Sequence, residues 1–197
     1  MIRVNKMFKK IVFLLLIVFP FTAEGKVLNL GGPDAKVTIK VFSSLTCPHC
    51  ANFHNNIFEN LRKEYLDKGT VKFEHHSFPL DLAALNAEII IRCQNNNLKS
   101  FQLLGEIYKK QKKWAVGSDI NIINESIFEI GADNGLTKEE MNKCLKNDKF
   151  QEDVLNERIE AQKKYKISST PTIYINENKY NGEHEYKDLK KEIDKLL

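Results

Sequence analysis

The feature that most constrains this chain is a Cys-X-X-Cys motif at residues 47–50, which reads Cys-Pro-His-Cys. Residues 37–42, just before it, are rich in β-branched side chains and predict a buried strand. Apolar side chains at helical spacing follow the motif as far as Leu66 and predict an amphipathic helix. The two cysteines are therefore expected where a strand ends and a helix begins.

This position predicts a reactive thiol. Cys47 is expected at the helix N-terminus, where free backbone N–H groups and the helix dipole stabilise a thiolate, which is the species that reacts. Pro48 lacks an N–H and pre-sets the turn, and His49 can hydrogen-bond to the sulfur or, when protonated, attract it. Cys50 is predicted to be the more buried, resolving thiol. Because a stabilised thiolate favours the reduced form, the Cys47–Cys50 disulfide is predicted to be oxidising.

Metal binding and an inert disulfide are the alternatives for this motif. A zinc site usually needs four ligands at recognisable spacing, and the two remaining cysteines, Cys93 and Cys144, form no second close pair. Histidines could complete a site only if folding happened to gather them: His49, His54, His75 and His76. The strand-to-helix context favours redox chemistry without a metal.

The N-terminus predicts export. Residues 1–10 are basic, residues 11–21 are an uninterrupted apolar run, and small residues follow at Ala23 and Gly25. A spanning helix needs roughly 17–25 apolar residues, so this segment is short for an anchor. We predict a cleaved signal peptide over residues 1–25 and a periplasmic protein, with an uncleaved inner-membrane anchor as the alternative. Export places the cysteines where disulfides form and persist.

Charge gives no reason to propose a nucleic-acid partner. The formal net charge is +4, and residues 1–25 contribute +3 of it through four basic residues and one acidic residue. The rest of the chain therefore has a net charge of only +1, which does not attract a polyanion.

The order of the predicted elements indicates an α/β fold with an insertion. A second strand over residues 71–76 completes a strand–helix–strand unit, which predicts a parallel pair with a right-handed crossover. Helical spacing alone runs from residue 81 to 165, and strand patterns return at residues 172–175 before a final helix. We predict an α/β domain made of residues 26–80 and 166–197, with residues 81–165 inserted as a helical domain.

Within the insertion, three local signals predict details. Gly131 is expected to end a helix, and Thr137 with Glu140 forms a capping box that starts the next. The basic run of residues 109–113 is expected to be a solvated helix end, and Trp114 beside it to lie in the core.

These features together resemble a known family, the thioredoxin-fold thiol–disulfide oxidoreductases of the DsbA type. The resemblance covers most of the chain after the signal peptide and depends on four groups of residues: Cys47-Pro48-His49-Cys50, Phe53-His54, Phe78-Pro79-Leu80-Asp81 and Thr170-Pro171-Thr172. It implies that Pro171 is a cis-proline facing the cysteine pair. It also implies that Thr170 offers its backbone to an incoming peptide.

Cys93 and Cys144 each fall on the apolar face of a predicted helix in the insertion. In an oxidising compartment this favours a structural, non-catalytic disulfide, with two free buried thiols as the alternative. Alphaproteobacterial DsbA-like proteins that this chain resembles carry such a helical-domain pair, which supports the bridge.

The chain departs from the family pattern at Val41. Several relatives carry a buried acidic residue at this position, six residues before the first cysteine. Proton transfer to and from Cys50 must then use another group or water. His54, one turn after Cys50, is a candidate, and a merely packed histidine is the alternative.

We therefore predict a protein dithiol-disulfide oxidoreductase that donates the Cys47–Cys50 disulfide to newly exported or unfolded cysteine-containing proteins. It needs no dissociable cofactor, because the electrons pass through sulfur, and it is expected to act as a monomer. The resemblance implies reoxidation by a DsbB-like membrane protein. A disulfide isomerase or reductase on the same fold, and a non-enzymatic metal-binding or surface interaction protein, are the alternatives.

Overall fold

A computed structural model describes residues 27–197, so the predicted signal peptide at residues 1–25 lies outside the described residues. Its centre is a five-stranded sheet in the order β1-β3-β2-β4-β5. The strands are β1 (Leu28–Gly31), β2 (Val37–Ser43), β3 (Val71–Ser77), β4 (Thr172–Ile175) and β5 (Asn178–Lys179). Between residues 27 and 197, no helix has both the length and the apolar character that a membrane crossing requires.

Eight helices surround this sheet in the described part of the chain. Helix α1 spans residues 48–66 and alternates α-helical turns (Pro48–Phe53, Glu59–Leu61) with π-helical turns (His54–Phe58, Arg62–Leu66). The others are α2 (Leu82–Arg92), α3 (Asn97–Lys109), α4 (Gln111–Trp114), α5 (Ile120–Asp133), α6 (Lys138–Leu145), α7 (Asp148–Tyr165) and α8 (Tyr186–Asp194). We call α2–α7 the helical block. The predicted thioredoxin fold with an α-helical insertion is confirmed.

Strand pairing brings the site together at one edge of the sheet. β2 and β3 are parallel, in register from Val37 opposite Val71 to Ser43 opposite Ser77, as the strand–helix–strand pattern predicts. β4 runs antiparallel to β2, with Thr172 opposite Phe42. The chain therefore leaves β2 toward the cysteine motif at the same edge where it enters β4.

The central strand β2 is buried on both faces, because successive side chains point in opposite directions. One face contributes Ile39 and Val41 to a core that it shares with α1, α8 and most of the helical block. The other face contributes Phe42, which packs with Ala161 of α7. The sheet is thus covered by helices on both sides.

The capping box that starts α6 is confirmed. The Thr137 hydroxyl accepts a hydrogen bond from the Glu140 backbone N–H, and the Glu140 carboxylate accepts one from the Thr137 N–H. The predicted helix end at Gly131 is wrong, since α5 continues through it to Asp133. Gly131 instead leaves room for α6, because a Cβ there would overlap the sulfur of Met141 and that side chain would have to shift.

The basic run of residues 109–113 is only partly solvated. Lys112 and Lys113 are exposed, but Gln111 between Lys110 and Lys112 is only 6% exposed. Trp114 lies in the core as predicted, and its indole N–H donates a hydrogen bond to the Ile107 carbonyl at 2.8 Å.

Candidate active site

The cysteine motif opens helix α1. Cys47 is the N-cap residue, with extended backbone angles (φ −77°, ψ 120°), and its carbonyl accepts hydrogen bonds from the N–H groups of Cys50 and Ala51, both at 3.1 Å. Pro48 is the first helical residue, where a missing N–H costs nothing. His49 is exposed and Cys50 is fully buried. The sulfur of Cys47 therefore lies at the open end of the helix.

Cys47 and Cys50 are free thiols in this structure and differ sharply in acidity. A hydrogen bond from the Cys50 thiol lowers the pKa of Cys47 to about 5; backbone N–H groups of His49 and Cys50 add to this effect, and burial opposes it. Burial raises the pKa of Cys50 far above that of a free thiol. At neutral pH, Cys47 is a thiolate beside a protonated Cys50.

Thr170 and Pro171 form the opposite wall of the site. Their peptide bond is cis, and the Thr170 carbonyl oxygen lies 3.3 Å from the sulfur of Cys47. Pro171 is buried, and the Thr170 hydroxyl is buried without a hydrogen-bond partner among residues 27–197. The structure thus brings together Cys47, Thr170 and Pro171 from the two ends of the α/β domain.

Contacts from the helical block hold the loop that precedes α1. The side-chain amide of Gln111 donates hydrogen bonds to the carbonyls of Leu45 (2.7 Å) and Cys47 (3.0 Å). The Thr46 hydroxyl donates one to the Asp81 carboxylate at 2.7 Å. We call residues 44–47 the site loop.

Sequence reasoning missed Gln111 because it lies in a run of lysines. One signal was available: Gln111 is the uncharged member of that run, four residues after Ile107 and three before Trp114, on the same helical face as both. Its partners on the site loop, by contrast, could not be read from the sequence.

His54 is a packed core histidine, which is the alternative to a role in proton transfer. Its ring is buried and stacks on Phe58 and Tyr108, at centroid distances of 4.5 and 4.9 Å. Burial, with a smaller contribution from His75, lowers the pKa of His54 to about 3. The imidazole is therefore neutral and enclosed by aromatic rings.

Three comparisons with known proteins show what this chain is similar to. The Thioredoxin family model matches residues 22–195. A Bacillus anthracis protein named as a candidate disulfide bond formation protein D is 31% identical over 179 residues, which cover 86% of this chain and 77% of that protein. The crystal structure of Wolbachia pipientis alpha-DsbA1 has a TM-score of 0.79 at 27% identity and covers 92% of this chain and 94% of its own. The chain belongs to the DsbA-like thioredoxin family.

Rickettsial relatives of this DsbA-like chain are longer. A Rickettsia bellii protein named as a candidate protein-disulfide oxidoreductase is 34% identical over 157 residues, which cover 79% of this chain and 59% of that protein. Across five such relatives, the chain spans between 57% and 64% of their length.

A buried acid lies in this DsbA-like core, although Val41 replaces the strand acid. Val41 pairs with His75 of β3, and Nε2 of His75 is 2.7 Å from the carboxylate of Glu88 on α2. Burial raises the pKa of Glu88, but His75, Arg92 and Ser77 together outweigh it and leave that pKa below its usual value. Glu88 belongs to the helical block, and its partner His75 belongs to the sheet.

The second cysteine pair is bridged. Cys93, the C-cap residue of α2, and Cys144, near the end of α6, form a disulfide with their Cα atoms 6.0 Å apart. The bridge joins two helices of the helical block.

Three of the candidate histidines of this DsbA-like chain lie away from the motif. His54 stacks in the core, His75 pairs with Glu88, and His76 stacks on Phe42 at 4.7 Å on the other face of the sheet. Among residues 27–197, no three His, Cys, Asp or Glu side chains are placed to hold a metal ion.

Proposed function

We propose that this protein is a thiol:disulfide oxidase that introduces disulfides into exported proteins through Cys47 and Cys50. The acidity of the Cys47 thiol, with a pKa of about 5, carries the proposal. A disulfide whose reduced form contains a stabilised thiolate is a strong oxidant. The function is therefore donation of a disulfide rather than its reduction.

The reaction begins with the Cys47–Cys50 disulfide. A substrate thiolate attacks the sulfur of Cys47, the Cys47–Cys50 bond breaks, and Cys50 takes up a proton because its pKa is high. A second substrate thiolate then attacks the substrate sulfur of the mixed disulfide and releases Cys47 as a thiolate. The substrate loses two electrons and two protons; Cys47 and Cys50 receive both electrons, Cys50 keeps one proton, and the other goes to water.

The acidity of Cys47 accelerates the second step, because a thiolate of low pKa is the better leaving group. Burial of Cys50 restrains the reverse attack on the mixed disulfide, since Cys50 must lose its proton first. The low pKa of Cys47 and the high pKa of Cys50 thus both favour formation of the oxidised substrate.

We assign substrate binding to Thr170 and Pro171 and a supporting catalytic role to Pro48 and His49. The Thr170 carbonyl lies within 3.3 Å of the reactive sulfur, so an extended peptide at this backbone holds its cysteine near Cys47. Pro48 and His49 are exposed at the rim, where a substrate reaches them first.

The remaining assignments follow from this activity. Residues 1–25 act as a signal peptide, and the site works in the periplasm as a monomer on unfolded, newly exported proteins. Residues 26–80 and 166–197 form the thioredoxin-like domain around the helical domain of residues 81–165. The Cys93–Cys144 bridge is structural. A DsbB-like membrane protein reoxidises the site.

Oxidation of a reduced dithiol peptide tests the proposal. The exported protein, oxidised beforehand, should oxidise the peptide stoichiometrically, and Cys47→Ser should abolish the reaction. A Cys47→Ser variant that oxidises the peptide at the parent rate would contradict the assignment. Faster reactivation of a scrambled disulfide protein than oxidation of a reduced one would favour an isomerase, and stoichiometric copper or zinc binding without thiol oxidation would favour a metal carrier.

A further inference from the structure

The side chain of Gln111 is buried at the junction between the helical block and the site loop. It comes from α4, a short helix that Trp114 anchors through a hydrogen bond to Ile107 at 2.8 Å. Its amide nitrogen bridges the carbonyls of Leu45 and Cys47 at 2.7 and 3.0 Å. A single buried donor group thus holds two carbonyls on either side of Thr46.

These two carbonyls belong to the backbone that carries the reactive sulfur. Cys47 is the N-cap residue of α1 and keeps extended backbone angles, so its sulfur lies beside the open end of the helix. Holding the Cys47 carbonyl, and the Leu45 carbonyl two residues earlier, fixes the peptide groups that set those angles. The amide hydrogens also offset the negative ends of carbonyls that lie beside a thiolate.

The segment that leads into the helical block contacts the site loop as well, from the solvent side. The Thr46 hydroxyl donates a hydrogen bond to Asp81 at 2.7 Å, and the Ser44 hydroxyl accepts one from the Leu80 N–H at 3.3 Å. Asp81 is itself fixed, because it caps α2 by accepting a hydrogen bond from the Ala84 N–H at 2.8 Å. These contacts are more exposed than those of Gln111 and should contribute less.

We propose that Gln111 is a positioning residue through which the helical block sets how strongly the helix N-terminus stabilises the Cys47 thiolate. This inference rests on the proposed function, in which that thiolate is the leaving group. It assigns the insertion a role in reactivity: α4 determines the geometry of a site whose reacting sulfurs both belong to the α/β domain.

The test is the pH profile of Cys47 alkylation by iodoacetamide in the full exported protein. Gln111→Met keeps the length of the side chain and removes its donor. The apparent pKa of Cys47 should rise toward that of a free thiol, so that alkylation at pH 5.5 slows about five- to tenfold relative to the parent. The reduction potential should fall in the same variant, because the reduced form loses stability.

Gln151→Met is the matched control. The Gln151 amide donates a hydrogen bond to the Leu145 carbonyl at 3.2 Å within the helical block, so this variant also loses an amide-to-carbonyl contact. Its alkylation profile should match that of the parent, whatever its melting temperature. If Gln111→Met and Gln151→Met both titrate like the parent, the inference is wrong and Gln111 is only a satisfied buried amide.

Circular dichroism establishes whether each variant folds. If Gln111→Met does not fold, Gln111→Asn takes its place, since it retains an amide but is one methylene too short to reach both carbonyls. A parent-like profile for Gln111→Asn would then overturn the inference. Failure of the proposed function is separate: the parent would not oxidise a dithiol peptide, whereas the alkylation profiles would still report on Gln111.

Discussion

Cys47 and Cys50 lie at the N-terminus of a helix, whereas Cys93 and Cys144 lie at the C-terminal ends of α2 and α6. The helix dipole favours an anion at the first location and disfavours one at the second. Backbone N–H groups at the start of α1 contribute to the low pKa of Cys47, whereas the sulfur of Cys93 lies 3.6 Å from the Glu140 carbonyl. The same side chain is therefore placed in opposite electrostatic environments.

This difference explains how one chain can contain one reactive and one unreactive pair of cysteines. Thiol–disulfide exchange requires a thiolate that can form or leave easily, and the N-terminal location supplies it at Cys47. The C-terminal locations raise the cost of a thiolate at Cys93 and Cys144, which protects their bridge from exchange. Sequence separation adds a second contrast, because the bridge closes a loop of 51 residues and so restricts the unfolded chain.

The strongest way to break this comparison is to remove the second pair. Cys93→Ala/Cys144→Ala should lower the free energy of unfolding by as much as about 4 kcal/mol, because the unfolded chain regains the entropy of the open loop. Oxidation of a dithiol peptide should proceed at the parent rate below the melting temperature. Urea unfolding and the peptide assay measure the two quantities on one preparation.

The matched variant Cys47→Ala/Cys50→Ala should show the reverse: no oxidation and a fold that remains intact. Loss of turnover in a folded Cys93→Ala/Cys144→Ala protein would show that the bridge takes part in exchange. In that case the division between a reactive and a structural pair would fail.

A smaller effect is expected at the buried ion pair of Glu88 with His75. Glu88→Gln keeps the shape of the side chain but replaces a charge-assisted hydrogen bond to His75 with a neutral one. The loss should be about 1–3 kcal/mol in the free energy of unfolding, measured by urea titration at pH 7. Glu125→Gln is the control, since Glu125 pairs with Lys138 at an exposed site and should change stability little. Equal losses in the free energy of unfolding of Glu88→Gln and Glu125→Gln would mean that the buried Glu88–His75 pair contributes no more than an exposed ion pair.

The pH dependence of stability tests the comparison between the two cysteine pairs without any mutation. The folded structure lowers the pKa of Cys47 to about 5, below that of the same thiol in the unfolded chain. The resulting stabilisation of the reduced protein is complete above the unfolded pKa, declines as the pH falls, and is lost below about 5. The oxidised protein has no such thiol, so the melting temperature of the reduced form relative to the oxidised form should drop between pH 8 and pH 4. A constant difference over this range would contradict the low pKa.

The parts of this molecule that sequence reasoning predicted are local. The strand before Cys47, the helix after it and the capping box at Thr137 each depend on residues within a few positions, so their patterns suffice. The parallel pairing of β2 and β3 also follows, because a helical crossover leaves little choice of direction and hand.

The parts that sequence reasoning missed depend on partners far along the chain. Gln111 is a satisfied buried amide only because the carbonyls of Leu45 and Cys47 lie opposite it, and the close approach of Met141 to Gly131 likewise depends on how the helices pack. The partner of His75 was likewise hidden, since Glu88 belongs to a helix whose position on the sheet the sequence does not specify. Spacing identifies candidate residues, but the fold decides which of them meet.

The smallest effect is expected from His49. This residue tests whether a side chain, in addition to the backbone of α1, contributes to the electrostatic environment of Cys47. Its exposed imidazole lies in the first turn of α1, where a protonated ring would favour a thiolate at Cys47. His49→Ala should slow alkylation of Cys47 at pH 4, below the Cys47 pKa of about 5, by about two- to fivefold, the range for an exposed charge at a helix terminus. Asn55→Ala, on an exposed position later in the same helix, should have no effect, because the dipole interaction fades beyond the first turn. Raising the salt to 1 M should shrink the His49 effect, since an exposed charge is screened, whereas a steric effect would persist unchanged.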